Sequence, residues 1–317
     1  MLAITGATGK IGGRIAARLA NLHIEQRLIL RDPQRAPHLA GAEIRQASSF
    51  GDAAALGQAL AGVDTLFLVS ARDRFGVAHL SAEQGVAPPP YDRVQQQITA
   101  IDAAVAVGVK HIVYLSMLNA AADATFILAR DHFHTEEHIK TLGIAFTFLR
   151  ASLYTDNVPQ SVSADGVIRA PAGEGRAAWV TRDDIADVAV AVLTGKDHAG
   201  KTYDVTGPEA LTLAQTAQQL SLATGRPITY CPQTPHAART TRSTSRLEKY
   251  EAERRRWTGA GLNEYEVEVF VTHFLQIATG ELATVSDTVP ILTGHPAQSL
   301  AQFLALHRES FQHLLPL

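Results

Sequence analysis

Apolar and polar residues along this chain fall into repeating blocks, each short apolar run being followed by a stretch with helical spacing. "LAIT" (2–5) leads into 9–21, where Ile11, Ile15 and Leu19 recur on one helical face. "RLILR" (27–31) and "AEIRQA" (42–47) predict a second and a third strand. "DTLFLVS" (64–70) reads as a strand buried on both faces. The spacing predicts a helix over 92–107, with Gly108 at its C-cap. Two more buried strands follow, "KHIVYLS" (110–116) and "IAFTFLR" (144–150), with a histidine-bearing helix between them. Strand, helix and strand in this order imply a parallel sheet with right-handed crossovers.

Beyond residue 150 the alternation loosens. "TRDDIADVAVAVLTG" (181–195) is a helix opening on Thr181 with acids in its first turn, and "KTYDVTG" (201–207) is another strand. "TLAQTAQQLSLATG" predicts a helix ending at Gly225, and residues 208–317 read as mostly helical. The expected fold class is α/β, a doubly wound parallel sheet with a smaller, mostly helical C-terminal lobe. Residues 1–150 would build the sheet domain, with 178–207 returning to it, and 151–317 the smaller lobe. "APPP" (87–90) marks an exposed loop.

Composition narrows the class. A 46% hydrophobic, 19% charged chain of 317 residues is an ordinary globular protein, and a net charge of −3 gives no footprint for nucleic acid. The local basic run, Arg242, Arg246, Lys249 and Arg254 to Arg256, is interleaved with Glu248, Glu251 and Glu253 and reads as a solvated helix face. No function follows for this arginine-rich segment, 233–260. Cys231 is the only cysteine, so no intramolecular disulfide can form. The opening residues lack the basic start and apolar core of a signal peptide, and no apolar run reaches the roughly 18 residues of a membrane span. A cytoplasmic protein without membrane or nucleic-acid partners is expected; a homo-oligomer is left open.

"TGATGKIG" places Gly6, Gly9 and Gly12 between the first strand and the first helix. Glycines there let the backbone turn tightly and approach a pyrophosphate, while the helix N-terminus offers free N–H groups to it. Context lifts this weak motif, since it follows a strand and opens an amphipathic helix. An acid ending the second strand would bind the adenosine ribose, whereas a base accommodates a 2′-phosphate. Arg31 stands there, with Lys10 as a second cation and Asp32 starting the "RDP" turn, so NADPH is expected over NADH.

"ARDHFHTEEHIKTLG" (129–143) holds three of the thirteen histidines, and His134, Glu137 and His138 match the zinc pattern H-x-x-E-H. His134 and His138 share a helix face, but that helix lies in a crossover whose apolar face covers the sheet. His132 is separated from them by helical angle, so the three do not converge on one ion. No metal site is expected; His134 and His138 read as exposed, and His132 is the histidine of interest.

"TGATGKIG", "LRDPQRA", "LAGVDTLFLVS", "AAVAVGVKHIVYLS" and "LGIAFTFLRASLYTDN" stand in the order and spacing of the NmrA-like branch of atypical short-chain dehydrogenases/reductases. "ARDHFHTEEHI", "AGKTYDVTGPEALTLAQTAQQLSLATG" and "LTGHPAQSLAQFL" are similar to the NADPH-dependent quinone reductase-like members. Least likeness falls at 71–92 and 233–260. The resemblance implies a Rossmann-type domain with the site between it and the small lobe. It implies that Gly6, Thr8, Gly9, Lys10, Ile11, Gly12 and Arg31 hold phosphates and adenosine ribose, with Ser70 near the cofactor's middle. Leu153, Tyr154 and Asn157 would lie near nicotinamide and substrate. Ser116, ending the "VYLS" strand, could more distantly stabilise charge developing on the acceptor, or be a buried serine bonded to backbone. The Tyr-x-x-x-Lys pair usual in short-chain dehydrogenases is absent, and His132 falls where related reductases carry a catalytic lysine. The expected function is hydride transfer from NADPH to a quinone-like or other electron-poor carbonyl acceptor. His132 and Tyr154 are the candidate catalytic residues, and solvent could protonate the reduced quinone. The alternative is a non-catalytic dinucleotide sensor acting through a protein partner. A sugar-nucleotide epimerase or dehydratase is disfavoured, because that chemistry leans on the missing pair.

Overall fold

Each strand of the central sheet sends alternate residues to opposite faces, and the burial pattern follows that period. The computed structural model describes residues 1–69, 92–237 and 264–315. Its strands are β1 (Leu2–Thr5), β2 (Gln26–Leu30), β3 (Ala42–Gln46), β4 (Thr65–Val69), β5 (His111–Met117), β6 (Ala145–Ala151), β7 (Val167–Ala170), β8 (Arg176–Ala177), β9 (Lys201–Val205), β10 (Leu211–Thr212) and β11 (Thr229–Pro232). Seven of them form one sheet in the order β3-β2-β1-β4-β5-β6-β9, and every pairing in it is parallel.

The helices are α1 (Gly12–Asn21), α2 (Ala53–Leu60), α3 (Asp92–Ala106), α4 (Ile127–Thr141), α5 (Arg182–Thr194), α6 (Leu213–Thr224), α7 (Glu264–Ala278), α8 (Thr288–Thr293) and α9 (Leu300–Leu306). One face of the sheet, with Ile4, Leu28, Phe67, Val113 and Leu149, packs on Ile15 and Leu19 of α1 and on Ile185 and Val188 of α5. The other, with Ile29, Leu66, Leu68, Ile112, Tyr114 and Phe148, packs on α2, α3 and Ile139 of α4. Each such large side chain contributes about 1.5–3 kcal/mol by burial. Strand order reverses between β1 and β4, and a crevice opens there at the carboxyl ends.

The fold is the doubly wound, Rossmann-type sheet with a largely helical C-terminal region. That region also holds two small sheets, parallel β11–β7 and antiparallel β10–β8, whose strands of two to four residues are too short to show a period. Its core, with Ile168, Trp179, Leu220, Phe274, Leu300 and Phe303, extends to Met117 and Leu153 beside the carboxyl ends of β5 and β6. β9 lies in the main sheet, and Val289 of α8 joins the core on the α1 and α5 side. Caps agree with the local sequence. The Thr181 hydroxyl accepts from the Asp184 N–H, and Thr212 and Gln215 form a capping box on α6, which ends at Gly225 with φ +70°. Ser70, the 87–90 loop and the arginine-rich segment past residue 237 lie outside the described residues. Among the described residues no helix is long and apolar enough to cross a membrane.

Candidate active site

At the end of β1 the chain turns at Gly6, whose φ of +69° favours glycine. The Gly9 N–H donates to Gly6 O at 2.8 Å, and the Gly13 N–H to Gly9 O at 3.0 Å. A Cβ on Gly12 would stand 2.4 Å from Gly6 O, so α1 can begin this close to the turn only because residue 12 is glycine. The N-terminal end of α1, with its positive dipole end, borders the crevice at Gly12. Arg14 donates to Lys10 O at 2.7 Å and to Asp183 at 3.1 Å, while Arg18 reaches Asp183 at 2.7 Å and Asp187 at 2.6 Å. These pairs clamp α1 to α5 and hold the turn in place.

The turn opens into a cavity of about 450 Å³. Gly6, Gly9, Lys10, Ile11 and Gly12 line one side. The ends of β4, β5 and β6 supply Val69, Ser116, Met117, Ser152 and Leu153, and the far wall carries Phe126, Leu128, His132, Tyr154, Asn157, Arg182 and His273. Thr8 and Arg31 do not line it. Both are exposed, Arg31 directly after β2 with its carbonyl accepting from Gln46 Nε2 at 2.9 Å. The Asp32 carboxylate turns back to accept the Gln34 N–H.

His132 is buried on the sheet-facing side of α4 with both ring nitrogens engaged. Arg93 Nη2 lies 3.0 Å from Nε2, and Tyr114 Oη lies 2.8 Å from Nδ1. A guanidinium only donates, so Nε2 is the acceptor, the proton sits on Nδ1, and Nδ1–H donates to Tyr114. Burial, helped by the Arg93 charge, holds His132 well below the usual imidazole range. A proton-donor role for His132 therefore meets a physical obstacle: its one N–H is committed to Tyr114. Asp131 pairs with Arg93 at 3.1 Å and joins this network. His134 is exposed, and His138 is half-buried with Nε2 2.6 Å from Asp102.

Ser116 donates to Glu136 Oε1 at 2.5 Å, not to backbone, and Arg150 binds both Glu136 oxygens at 2.9 and 2.5 Å. The register sets Ser116 beside Arg150 on neighbouring strands, and the fully buried Glu136 of α4 covers them. With its proton given to Glu136, Ser116 turns lone pairs toward the cavity. The Tyr154 ring lies under the Arg182 guanidinium, 4.8 Å from its centroid, and Arg182 in turn reaches Asp156 at 3.0 Å and Asn157 Oδ1 at 2.8 Å. Burial raises the Tyr154 phenol above its ordinary pKa, so it is protonated at neutral pH. Its hydroxyl makes no hydrogen bond to a described residue.

Sequence reading did not single out Glu136, Arg93, Ser152, Arg182 or His273. A hydroxyl one position before Leu153 is the only hint of Ser152. Ser152 Oγ is buried, 2% exposed, lines the cavity and has no hydrogen-bond partner among the described residues. An orphaned hydroxyl at a strand end, a glycine cradle closed to any Cβ and an open helix N-terminus together fit a dinucleotide.

A parallel sheet opening this cradle at its switch point defines a dinucleotide-binding protein. The chain belongs to the NAD(P)H-binding family, whose model matches residues 6–196. It is 34% identical over 316 residues to (4-alkanoyl-5-oxo-2,5-dihydrofuran-3-yl)methyl phosphate reductase of Streptomyces griseus subsp. griseus, covering 98% of this chain and 99% of that one. It is 33% identical over 309 residues to quinone oxidoreductase 2 of Escherichia coli (strain K12), covering 95% and 96%. Among solved structures it is similar to the NADPH-dependent quinone oxidoreductase QOR2 of Escherichia coli complexed with NADPH, with TM-score 0.80 and 30% identity over 96% of this chain and 99% of that one. NmrA, a negative transcriptional regulator, shares the fold at TM-score 0.69 and 15% identity over 99% of this chain and 98% of that one. The chain is thus an NAD(P)H-dependent oxidoreductase with NmrA-like structural neighbours.

Proposed function

We propose that this oxidoreductase uses NADPH to reduce a flat, electron-poor acceptor of the quinone type, bound in the cavity between the sheet's carboxyl ends and the C-terminal lobe. The observation that carries the reading is the cavity's lining, in which a glycine turn and helix N-terminus share one space with the rings and apolar side chains of Phe126, Leu128, Leu153 and Tyr154. The turn suits a pyrophosphate and the rings an aromatic acceptor. Similarity to a quinone oxidoreductase supports the acceptor class, and Arg31 at the end of β2 supports NADPH over NADH.

When bound, the reduced nicotinamide supplies the hydride. Gly6, Gly9, Lys10, Ile11 and Gly12 would hold the phosphates, with Thr8 and Arg31 toward the adenosine ribose. Ser116 and Ser152 would meet the nicotinamide half, Ser116 as an acceptor only. Leu153 and Asn157 complete that wall. Tyr154 is the proton donor: it lines the cavity, its hydroxyl has no hydrogen-bond partner among the described residues, and it would donate to the acceptor oxygen as charge develops there. His132 fixes the wall through Arg93 and Tyr114 as a positioning residue. This free phenol also answers the missing Tyr-Lys pair, which had been the reason to consider a sensor without turnover.

NADPH oxidation with a panel of simple quinones tests the reading. Wild-type turnover is expected, and Tyr154→Phe should lower kcat on the order of tenfold to a hundredfold with unchanged NADPH affinity by calorimetry. No oxidation with any quinone sinks the acceptor class; an unaltered kcat in the variant removes Tyr154.

A further inference from the structure

We propose that His273, carried into the cavity by α7, is the residue that recognises a carbonyl oxygen of the acceptor. This rests on the reductase reading above and assigns its acceptor specificity to a side chain of the C-terminal lobe.

Most other polar groups along this wall are committed, Ser152 and Tyr154 being the exceptions among the described residues. His132 spends both nitrogens on Arg93 and Tyr114, Ser116 gives its proton to Glu136, and Arg182 binds Asp156 and Asn157. His273 differs. Neither of its nitrogens bonds to a described residue. Its neighbours are two aromatic rings set nearly perpendicular to it, Phe126 at 5.5 Å and Phe274 at 5.0 Å between centroids. Every imidazole carries at least one N–H, so a donor stands in an otherwise apolar corner, where it is unfavourable until something accepts from it.

The chemistry of that donor limits its partner. Burial pushes His273 down to about 4, so at neutral pH it is an uncharged donor. It can polarise a carbonyl without demanding an anionic ligand, which Lys or Arg in the same place would do. Tyr154 provides a second uncommitted donor from a different element. Two free donors on separate elements suit an acceptor bearing two carbonyl oxygens, as a quinone does. Because α7 also packs against α4, a ligand held by both donors would tie the lobe to the sheet.

The test uses His273→Phe, which keeps a ring against Phe126 and Phe274, and His273→Gln, which keeps a donor. Steady-state kinetics compare 1,4-naphthoquinone with N-methylphenazinium, which has no carbonyl. His273→Phe should raise the KM for naphthoquinone about tenfold. The KM for phenazinium, kcat and NADPH affinity should all stay within about twofold, and His273→Gln should restore most of the loss. An unchanged naphthoquinone KM, an equal rise for both acceptors, or no restoration by Gln overturns the proposal. Should the wild type oxidise NADPH with neither acceptor, the reductase reading fails first and this inference with it.

Discussion

Replacing Arg150 with Met asks whether the carboxylate beneath the cavity floor is held in place by charge. Glu136 is fully buried and meets Arg150 Nε at 2.9 Å, Arg150 Nη2 at 2.5 Å and the Ser116 hydroxyl at 2.5 Å. At an effective dielectric of 20 and this separation, the attraction is about 6 kcal/mol, and desolvating the carboxylate opposes most of it. The net value of the pair is therefore small, but removing one partner is not. Arg150→Met leaves a buried carboxylate with one hydroxyl to answer it, a loss of about 3–5 kcal/mol. Arg150 is 24% exposed on its side chain, so water can reach the vacated position and the lower figure is expected. With an m value of about 3 kcal/mol/M, the urea midpoint should fall by about 1 M. Adding Glu136→Gln removes the stranded charge and should recover at least about half of that loss. A fall below about 1 kcal/mol in the single variant, or a double variant no better than the sum of the singles, refutes the charge argument. Calorimetry on Arg150→Met should also show weaker NADPH binding, since Ser116 loses its fixed orientation.

Gly12→Ala would push a methyl to 2.4 Å from Gly6 O, so NADPH affinity by calorimetry should drop more than about tenfold; Gly57→Ala, whose methyl meets only Val107 at 3.5 Å, should leave it unchanged. Arg31→Glu should lower the ratio of NADPH to NADH affinity by about tenfold or more, and an unmoved ratio removes Arg31 from cofactor choice. Acid should destabilise the fold through His132 and His273, both held below the ordinary imidazole value, His273 at about 4. The unfolded chain binds more protons than the native one between about pH 4 and 6.5, so stability is full above 6.5 and falls as pH drops through that window. After allowing for water at the cavity wall, His273 should account for about 2–3 kcal/mol of that loss, and urea midpoints at high and low pH with equal slopes in wild type and His273→Gln would sink it.

How much of this was legible in the sequence depends on how many signals coincide at a residue. The glycine turn carried two, its spacing and its position between strand and helix, and the structure brings its glycines, Lys10 and Ile11 to the cavity. The sheet was legible because buried parallel strands write continuous apolar runs. The helix α4 was only half legible. Its buried residues are Ala129, His132, Thr135, Glu136 and Ile139, and three of these five are polar, so an apolar stripe alone misassigns the face. Glu136 lies seven residues after Ala129 and three before Ile139, a spacing that could have marked it as buried. Arg150 and Ser116 become its partners only through strand register, which no local pattern encodes. His273 is harder still: it sits on a helix more than a hundred residues from the strand ends it faces, and only the tertiary fold joins them.

The charges around the cavity bear on why a reductase would be built this way. Among the described residues that line it, Lys10, Arg93 and Arg182 are cationic and none is a carboxylate. Asp131 and Asp156 stand behind Arg93 and Arg182, orienting them and tempering their charge without entering the cavity. Tyr154 and His273 are held neutral with their donors free, and His132 is neutral with its donor committed. Hydride transfer delivers negative charge to an acceptor that arrives neutral, so the Tyr154 hydroxyl and the offset cations act more strongly on the developing product than on the incoming substrate. A buried carboxylate in the same wall would oppose that change. On this reading the fully buried carboxylate of Glu136 beside the site is tolerable because Arg150 neutralises it and Ser116 separates it from the cavity. Breaking that pair should therefore slow turnover of neutral acceptors by more than weaker NADPH binding explains, a split between kcat and KM that a purely structural defect would not produce.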